Sequence, residues 1–176
     1  MANKLSKLSL SFSMLLGLSA QAADLKVGDM APDFNLQATN GKTYQLSDFK
    51  DKQAVVVAWY PMANTSGCTI ECLSLIKEGH LIREYDVSYF MASVDPLEDN
   101  MEFAEETDAD FPMLSDPSKK AAEAYGVLNF LGVAKRWTFY IGKNGQILQI
   151  DKDIQPKTAA PDIAKNLAKL KVDKKS

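Results

Sequence analysis

The run from Gln53 to Trp59, Gln-Ala-Val-Val-Val-Ala-Trp, is short, apolar and rich in β-branched residues, and it stops at Tyr60-Pro61. A segment of that length and composition reads as a central strand buried on both faces. A loop follows to Gly67, and from Cys68 to about Tyr85 the pattern changes to a helical period, with Ile70, Leu73, Ile76 and Leu81 near one face. A buried strand that feeds a helix confines the chain to architectures in which helices cover a sheet.

The remaining sequence repeats the alternation. Val87 to Val94 is a second strand, and Asp95-Pro96 supplies an N-cap and a proline at the first helical position of a helix to about Thr107. Phe111 to Leu114 is a brief extended piece, and Ser115-Asp116-Pro117 opens a short helix that ends at Gly126. The segments Arg136 to Ile141 and Gln146 to Ile150 flank Lys143-Asn144-Gly145, a strong hairpin signal. Pro161 opens a final amphipathic helix, and the tail Lys171–Ser176 is expected to fray. With no internal repeat and no linker, these elements predict one α/β sandwich with a central mixed sheet flanked by helices.

Residues 1–22 stand apart. Lys4 and Lys7 precede an apolar run from Leu8 to Ala20, and Ala20-Gln21-Ala22 places small residues at a signal-peptidase site. The run is too short to span a bilayer, so the expectation is a cleaved leader (1–22) and a single domain over 23–176. That chain would be exported, in bacterial style to the periplasm, with no membrane association after cleavage. The net charge of −3 becomes −5 without the two leader lysines, which argues against nucleic acid as a partner. One His and two Cys exclude a multi-histidine metal centre and a disulfide framework. His80 reads as a solvated or core-edge helix residue, and no metal is expected.

The chemistry concentrates between Pro61 and Cys72. Cys68 follows a strand and a glycine and falls in the first turn of a helix, where unpaired backbone N–H groups and the helix dipole favour thiolate over thiol. Thr65, three residues earlier, is placed to accept a hydrogen bond from a substrate and donate one to the sulfur. Both cysteines cluster at this helix start in a chain bound for an oxidising compartment, which points to redox chemistry.

The pattern Pro61, Thr65, Cys68 resembles the Pro-x-x-x-Thr-x-x-Cys motif of peroxiredoxins, and Tyr60-Pro61, Asn64 to Thr69 and Glu71 resemble the bacterioferritin-comigratory, or PrxQ-type, branch. The resemblance extends to Gly28 to Phe34, Ser93-Val94-Asp95, Phe111 to Asp116, Ala124 to Val127 and Arg136 to Ile141. It implies a thioredoxin-like fold and thiol-dependent reduction of hydrogen peroxide and organic hydroperoxides. Cys68 would be the peroxidatic cysteine, Thr65 would orient the peroxide, Pro61 would shield the sulfenate, and Arg136 would match the distal arginine of the site. Neither metal nor organic cofactor is implied; a thioredoxin-like dithiol would be the reductant, and the protein would be a monomer or weak dimer.

One position departs from that branch. Its resolving cysteine usually lies five residues after the peroxidatic one, where this chain has Leu73; Cys72 lies four after Cys68. The expected oxidised form is a Cys68–Cys72 disulfide, and closing it requires the first helical turn to loosen, because Cβ atoms four residues apart on a helix are roughly 5–6 Å apart. Cys-x-x-x-Cys is also the spacing of Sco-type copper chaperones, and a thiol–disulfide oxidoreductase is a further alternative, although the Cys-x-x-Cys of thioredoxins is absent.

Overall fold

In the computed structural model, residues 24–175 are described; the leader assignment to 1–22 lies outside them. The strands are β1 (Asn35–Ala38), β2 (Thr43–Gln45), β3 (Ala54–Trp59), β4 (Val87–Ser93), β5 (Met113–Ser115), β6 (Trp137–Ile141) and β7 (Ile147–Asp151). They form one seven-stranded sheet in the order β2-β1-β5-β4-β3-β6-β7. Strand β3 pairs parallel with β4 and antiparallel with β6, so the sheet is mixed. The helices are α1 (Ser66–Glu78), α2 (His80–Arg83), α3 (Leu97–Thr107), α4 (Lys120–Ala124) and α5 (Ala159–Lys169), with 3-10 turns at Leu46–Phe49 and Pro156–Thr158.

All six residues of β3 are buried, and they divide between two cores. Ala54, Val56 and Ala58 pack with Cys68, Cys72, Leu75, Phe103 and Ile163. Val55, Val57 and Trp59 pack with Phe34, Ala122, Tyr125 and Phe139 on the other face. Burying each such valine contributes on the order of 1.5–3 kcal/mol. This two-sided burial is what the uninterrupted apolar run demands, and it fixes the C-terminal end of β3 as the platform from which the Pro61–Gly67 loop departs.

Several expectations need correction. The single helix anticipated from Cys68 to Tyr85 breaks at Gly79, where an added Cβ would lie 2.2 Å from the Leu75 carbonyl oxygen and 2.9 Å from the Tyr89 hydroxyl. Its core side is also not the one expected: Ile70 and Leu73 are exposed, whereas Cys68, Glu71, Cys72 and Leu75 are buried. The short helix placed at Ser115-Asp116-Pro117 begins only at Lys120, and the Asp116 carboxylate reaches it by accepting the Ala122 N–H at 2.9 Å. The hairpin of β1 and β2 had no counterpart in the sequence reading. The described part of the C-terminal tail, to Lys175, is paired where fraying was expected: Asp86 N donates to the Asp173 carbonyl (2.8 Å), Lys175 N to the Glu84 carbonyl (2.9 Å), and Lys143 bridges Asp86 and Asp173.

Candidate active site

Cys68 is the third residue of α1, and the first bond of that helix runs from Thr69 N to the Thr65 carbonyl at 2.9 Å. The N–H groups of Ser66, Gly67 and Cys68 therefore precede any intrahelical partner, so the helix presents its positive end beside the sulfur. The Cys68 side chain is fully buried. Its Sγ accepts a hydrogen bond from Arg136 Nη2 at 3.1 Å, a bond whose strength grows with negative charge on the acceptor.

Arg136 lies immediately before β6, the neighbour of β3, so the sheet itself brings position 136 to position 68. Its second nitrogen, Nη1, pairs with the Glu71 carboxylate, which is 1% exposed. Desolvation by burial pushes the Glu71 carboxyl above the ordinary value, with the Arg136 charge pulling the other way. Burial lowers the Arg136 pKa, and the charges and hydrogen bonds of Glu71 and Cys68 together more than restore it. These shifts oppose one another as to whether the pair is charged. The ionised pair is the form that satisfies both groups at contact, because a guanidinium has no accessible neutral state in proteins. The carboxylate thus fixes one edge of the guanidinium and leaves the other for the sulfur. Gly67 makes room for it: an added Cβ would stand 3.3 Å from Nη2.

The loop has its own anchors. Asn64 takes a left-handed conformation (φ 56°), and the buried N–H of Ala63 donates to Asp95 Oδ2 at 2.9 Å. The sequence points to Asp95 as an N-cap; in the structure Pro96 occupies that position with no side-chain cap bond, and the Asp95 carboxylate turns to the loop instead. Beneath lies a buried polar network in which Asn100 Oδ1 accepts from the Tyr60 hydroxyl at 2.6 Å and from Ser93 Oγ at 3.1 Å. Burial drives the Tyr60 hydroxyl well above its ordinary pKa, which keeps it a neutral donor.

The structure brings Thr65, Cys68, Cys72 and Arg136 together around the start of α1, with half-buried Pro61 opening the loop. Thr65 differs from expectation in one bond. Its hydroxyl donates to the Met62 carbonyl at 3.0 Å, and the bond to Cys68 comes from Arg136. The lone pairs of Thr65 Oγ1 remain as acceptors for a substrate O–H. Cys72 is fully buried one turn beyond Cys68, its thiol 3.4 Å from Thr107 Oγ1. Both cysteines are free thiols. His80 is exposed at the start of α2, and among the described residues no group of three or more His, Cys, Asp or Glu side chains is arranged to hold a metal ion.

Asp95 and the pairing of Glu71 with Arg136 are the features that sequence reasoning missed. An Asp-Pro step before a helix is read as a cap, and an acid in a helix's first turns as dipole pairing. Only the sheet register shows what each one faces.

Residues 27–150 match the AhpC/TSA family. Peroxiredoxin Bcp of Escherichia coli is 33% identical over 138 residues, covering 74% of this chain and 88% of that protein. Peroxiredoxin Bcp of Bacillus subtilis is 32% identical over 133 residues, 71% of this chain and 83% of that protein. Among solved structures, peroxidoxin BcpB from Mycobacterium tuberculosis superposes with a TM-score of 0.74 at 30% identity, covering 82% of this chain and 97% of that one. The chain belongs to the AhpC/TSA family, among its peroxiredoxins of the Bcp, or PrxQ, type. It is accordingly a thiol peroxidase with a thioredoxin-like fold.

Proposed function

We propose that this peroxidase reduces hydrogen peroxide and organic hydroperoxides at Cys68 and restores itself through a Cys68–Cys72 disulfide. The observation that carries the reading is the 3.1 Å bond from Arg136 Nη2 to Cys68 Sγ at the start of α1. In the first step the Cys68 thiolate attacks the nearer peroxide oxygen and the O–O bond breaks. The sulfur becomes a sulfenic acid, and the leaving oxygen takes a proton and departs as water or an alcohol. Arg136 stabilises the charge that develops on the oxygens. Thr65 Oγ1 accepts from the peroxide O–H, its own proton being held by the Met62 carbonyl, and Pro61 shields the sulfenate. In the second step the Cys72 sulfur attacks the Cys68 sulfur, the S–S bond forms and water leaves.

No metal or organic cofactor enters this cycle. Two electrons from a thioredoxin-like dithiol reopen the disulfide by exchange. The leader pattern of residues 1–22 supports a periplasmic site of action, and the protein works there as a monomer or weak dimer.

Peroxide consumption by the reduced protein tests the cycle. Wild type should turn over with a dithiol donor, Cys68→Ser should be inactive, and Cys72→Ser should react once and then stall. A wild type that leaves peroxide untouched would overturn the peroxidatic role, and a Cys72 still alkylatable after peroxide treatment would overturn the resolving one.

A further inference from the structure

The thiol that must complete the proposed cycle is shut away from solvent and bonded to a second helix. Cys72 is wholly buried in the core between α1 and β3, in the cluster that contains Leu75 and Phe103, and its one hydrogen-bond partner in the structure is Thr107 Oγ1 at 3.4 Å. The direction of that bond is settled by the rest of Thr107. Its hydroxyl proton is donated to the Phe103 carbonyl at 2.7 Å, so towards Cys72 the oxygen can only accept and the sulfur must carry the proton. Thr107 is itself well fixed. It is the last residue of α3, and that helix is closed by Asp108 in a left-handed conformation (φ 54°), with Asp108 N directed at the carbonyls of Ala104 and Glu105 and Ala109 N bonded to Ala104 O at 2.9 Å. Burial pushes the Cys72 thiol up to about 11. The two sulfurs are therefore gripped by different elements: Cys68 by Arg136 ahead of β6, and Cys72 by the end of α3.

We propose that Thr107 is the positioning residue that keeps Cys72 in its reduced seat and so sets how fast the disulfide can close. This inference rests on the reading of Cys72 as the resolving cysteine. For the S–S bond to form, the Cys72 thiol must leave the Thr107 oxygen, lose its proton to solvent and reach the Cys68 sulfenic sulfur. While it remains seated, the sulfenic acid is open to a second hydroperoxide. That reaction transfers one oxygen to sulfur, gives the sulfinic acid and releases water or an alcohol, and the enzyme is then inactive. Thr107 thereby governs the partition between recycling and inactivation, although it touches neither the peroxide nor Cys68.

The test compares Thr107→Val, which keeps the shape and removes the acceptor, with Thr107→Ser, which keeps the hydroxyl, and Thr107→Ala, which removes it without added bulk. Reduced proteins are mixed with hydrogen peroxide, quenched with an alkylating agent at set times, and mapped by mass spectrometry for the Cys68–Cys72 disulfide and for Cys68 sulfinic acid. Thr107→Val and Thr107→Ala should close the disulfide about 3–10-fold faster, the range that one hydrogen bond of modest net strength supplies. They should need correspondingly more peroxide for half-inactivation, with the first oxidation of Cys68 unchanged and Thr107→Ser like wild type. A wild-type closing rate in the Val and Ala variants overturns the role of Thr107 and leaves the resolving role of Cys72 standing. A Ser variant that behaves like Val also overturns it, by assigning the effect to packing. Absence of the disulfide in wild type overturns both readings together.

Discussion

Cys68 and Cys72 stand one turn apart on the same face of α1, and neither is exposed at all. Burial by itself would make both inert, since a desolvated thiolate is costly. What separates them is the group that each sulfur meets. Cys68 accepts from a guanidinium N–H at the start of the helix; Cys72 donates to a neutral hydroxyl oxygen. The same helix thus holds one sulfur against a guanidinium and another against a hydroxyl, and the distinction is made by residues 64 and 35 positions further along the chain from Cys72 (Arg136 and Thr107), not by the cysteine motif.

The largest effect should come from removing that distinction at Cys68. Arg136→Lys retains a charge near Glu71, but a single ammonium cannot present the planar fork that serves the carboxylate and the sulfur at once. The second-order rate of Cys68 with hydrogen peroxide, measured by rapid mixing, should fall about 10²–10³-fold, the usual consequence of losing one preorganised donor. A loss below tenfold would mean that the helix start alone activates the sulfur.

The next effect concerns Cys72 and pH. Burial, as the main cause, pushes its thiol up to about 11 from an ordinary 9.0. The fold therefore favours the neutral thiol. The stability this contributes is fully present below about pH 9 and is lost as the pH rises through about 11. The difference corresponds to roughly 2–3 kcal/mol. Urea denaturation of the reduced protein between pH 8 and 11 should show wild type losing about that much more stability than Cys72→Ala, a comparison in which the lysines and tyrosines cancel. Parallel curves for the two proteins would mean that the Cys72 seat does not discriminate between thiol and thiolate.

The sequence made legible whatever depends on local pattern. The β-branched run gave β3, the Asn-Gly step gave the β6–β7 hairpin, and the strand–loop–helix placement gave Cys68 its position at a helix start. It also carried enough of the peroxiredoxin pattern to single out Arg136. What stayed hidden depends on partners distant in sequence. Asp95 looks like a cap until the loop folds over it, and Thr65 looks like a donor to sulfur until its hydroxyl is seen to donate to the Met62 carbonyl. The tail looks like a fraying end because Lys-rich composition says nothing of backbone pairing, yet Asp173 and Lys175 bond to the segment around Asp86. The β1–β2 hairpin escaped because strands of four and three residues leave too little pattern to separate from loop.

The α1 face is the clearest of these failures, and it yields the smallest predicted effect. The helical period in the sequence falls on Ile70, Leu73, Ile76 and Leu81 because those are the conspicuous aliphatic residues. The helix instead turns inward the row containing Cys68, Glu71, Cys72 and Leu75, in which a carboxylate and two thiols replace aliphatic side chains. A pattern search that counts Glu as polar cannot select that row, although the Arg136 pairing makes Glu71 a core residue. Leu73, at 48% exposed, lies outside it. Leu73→Ala should therefore shift stability by less than about 0.5 kcal/mol, read as a change in Tm of the reduced protein, against a several-fold larger loss for Leu75→Ala. That outcome would also bear on the spacing of the cysteines. Position 73 is where the resolving cysteine of this branch usually stands, and on this helix it faces outward. Moving the thiol back one residue, to 72, rotates it by about 100° into the core, and that rotation is what places it against Thr107.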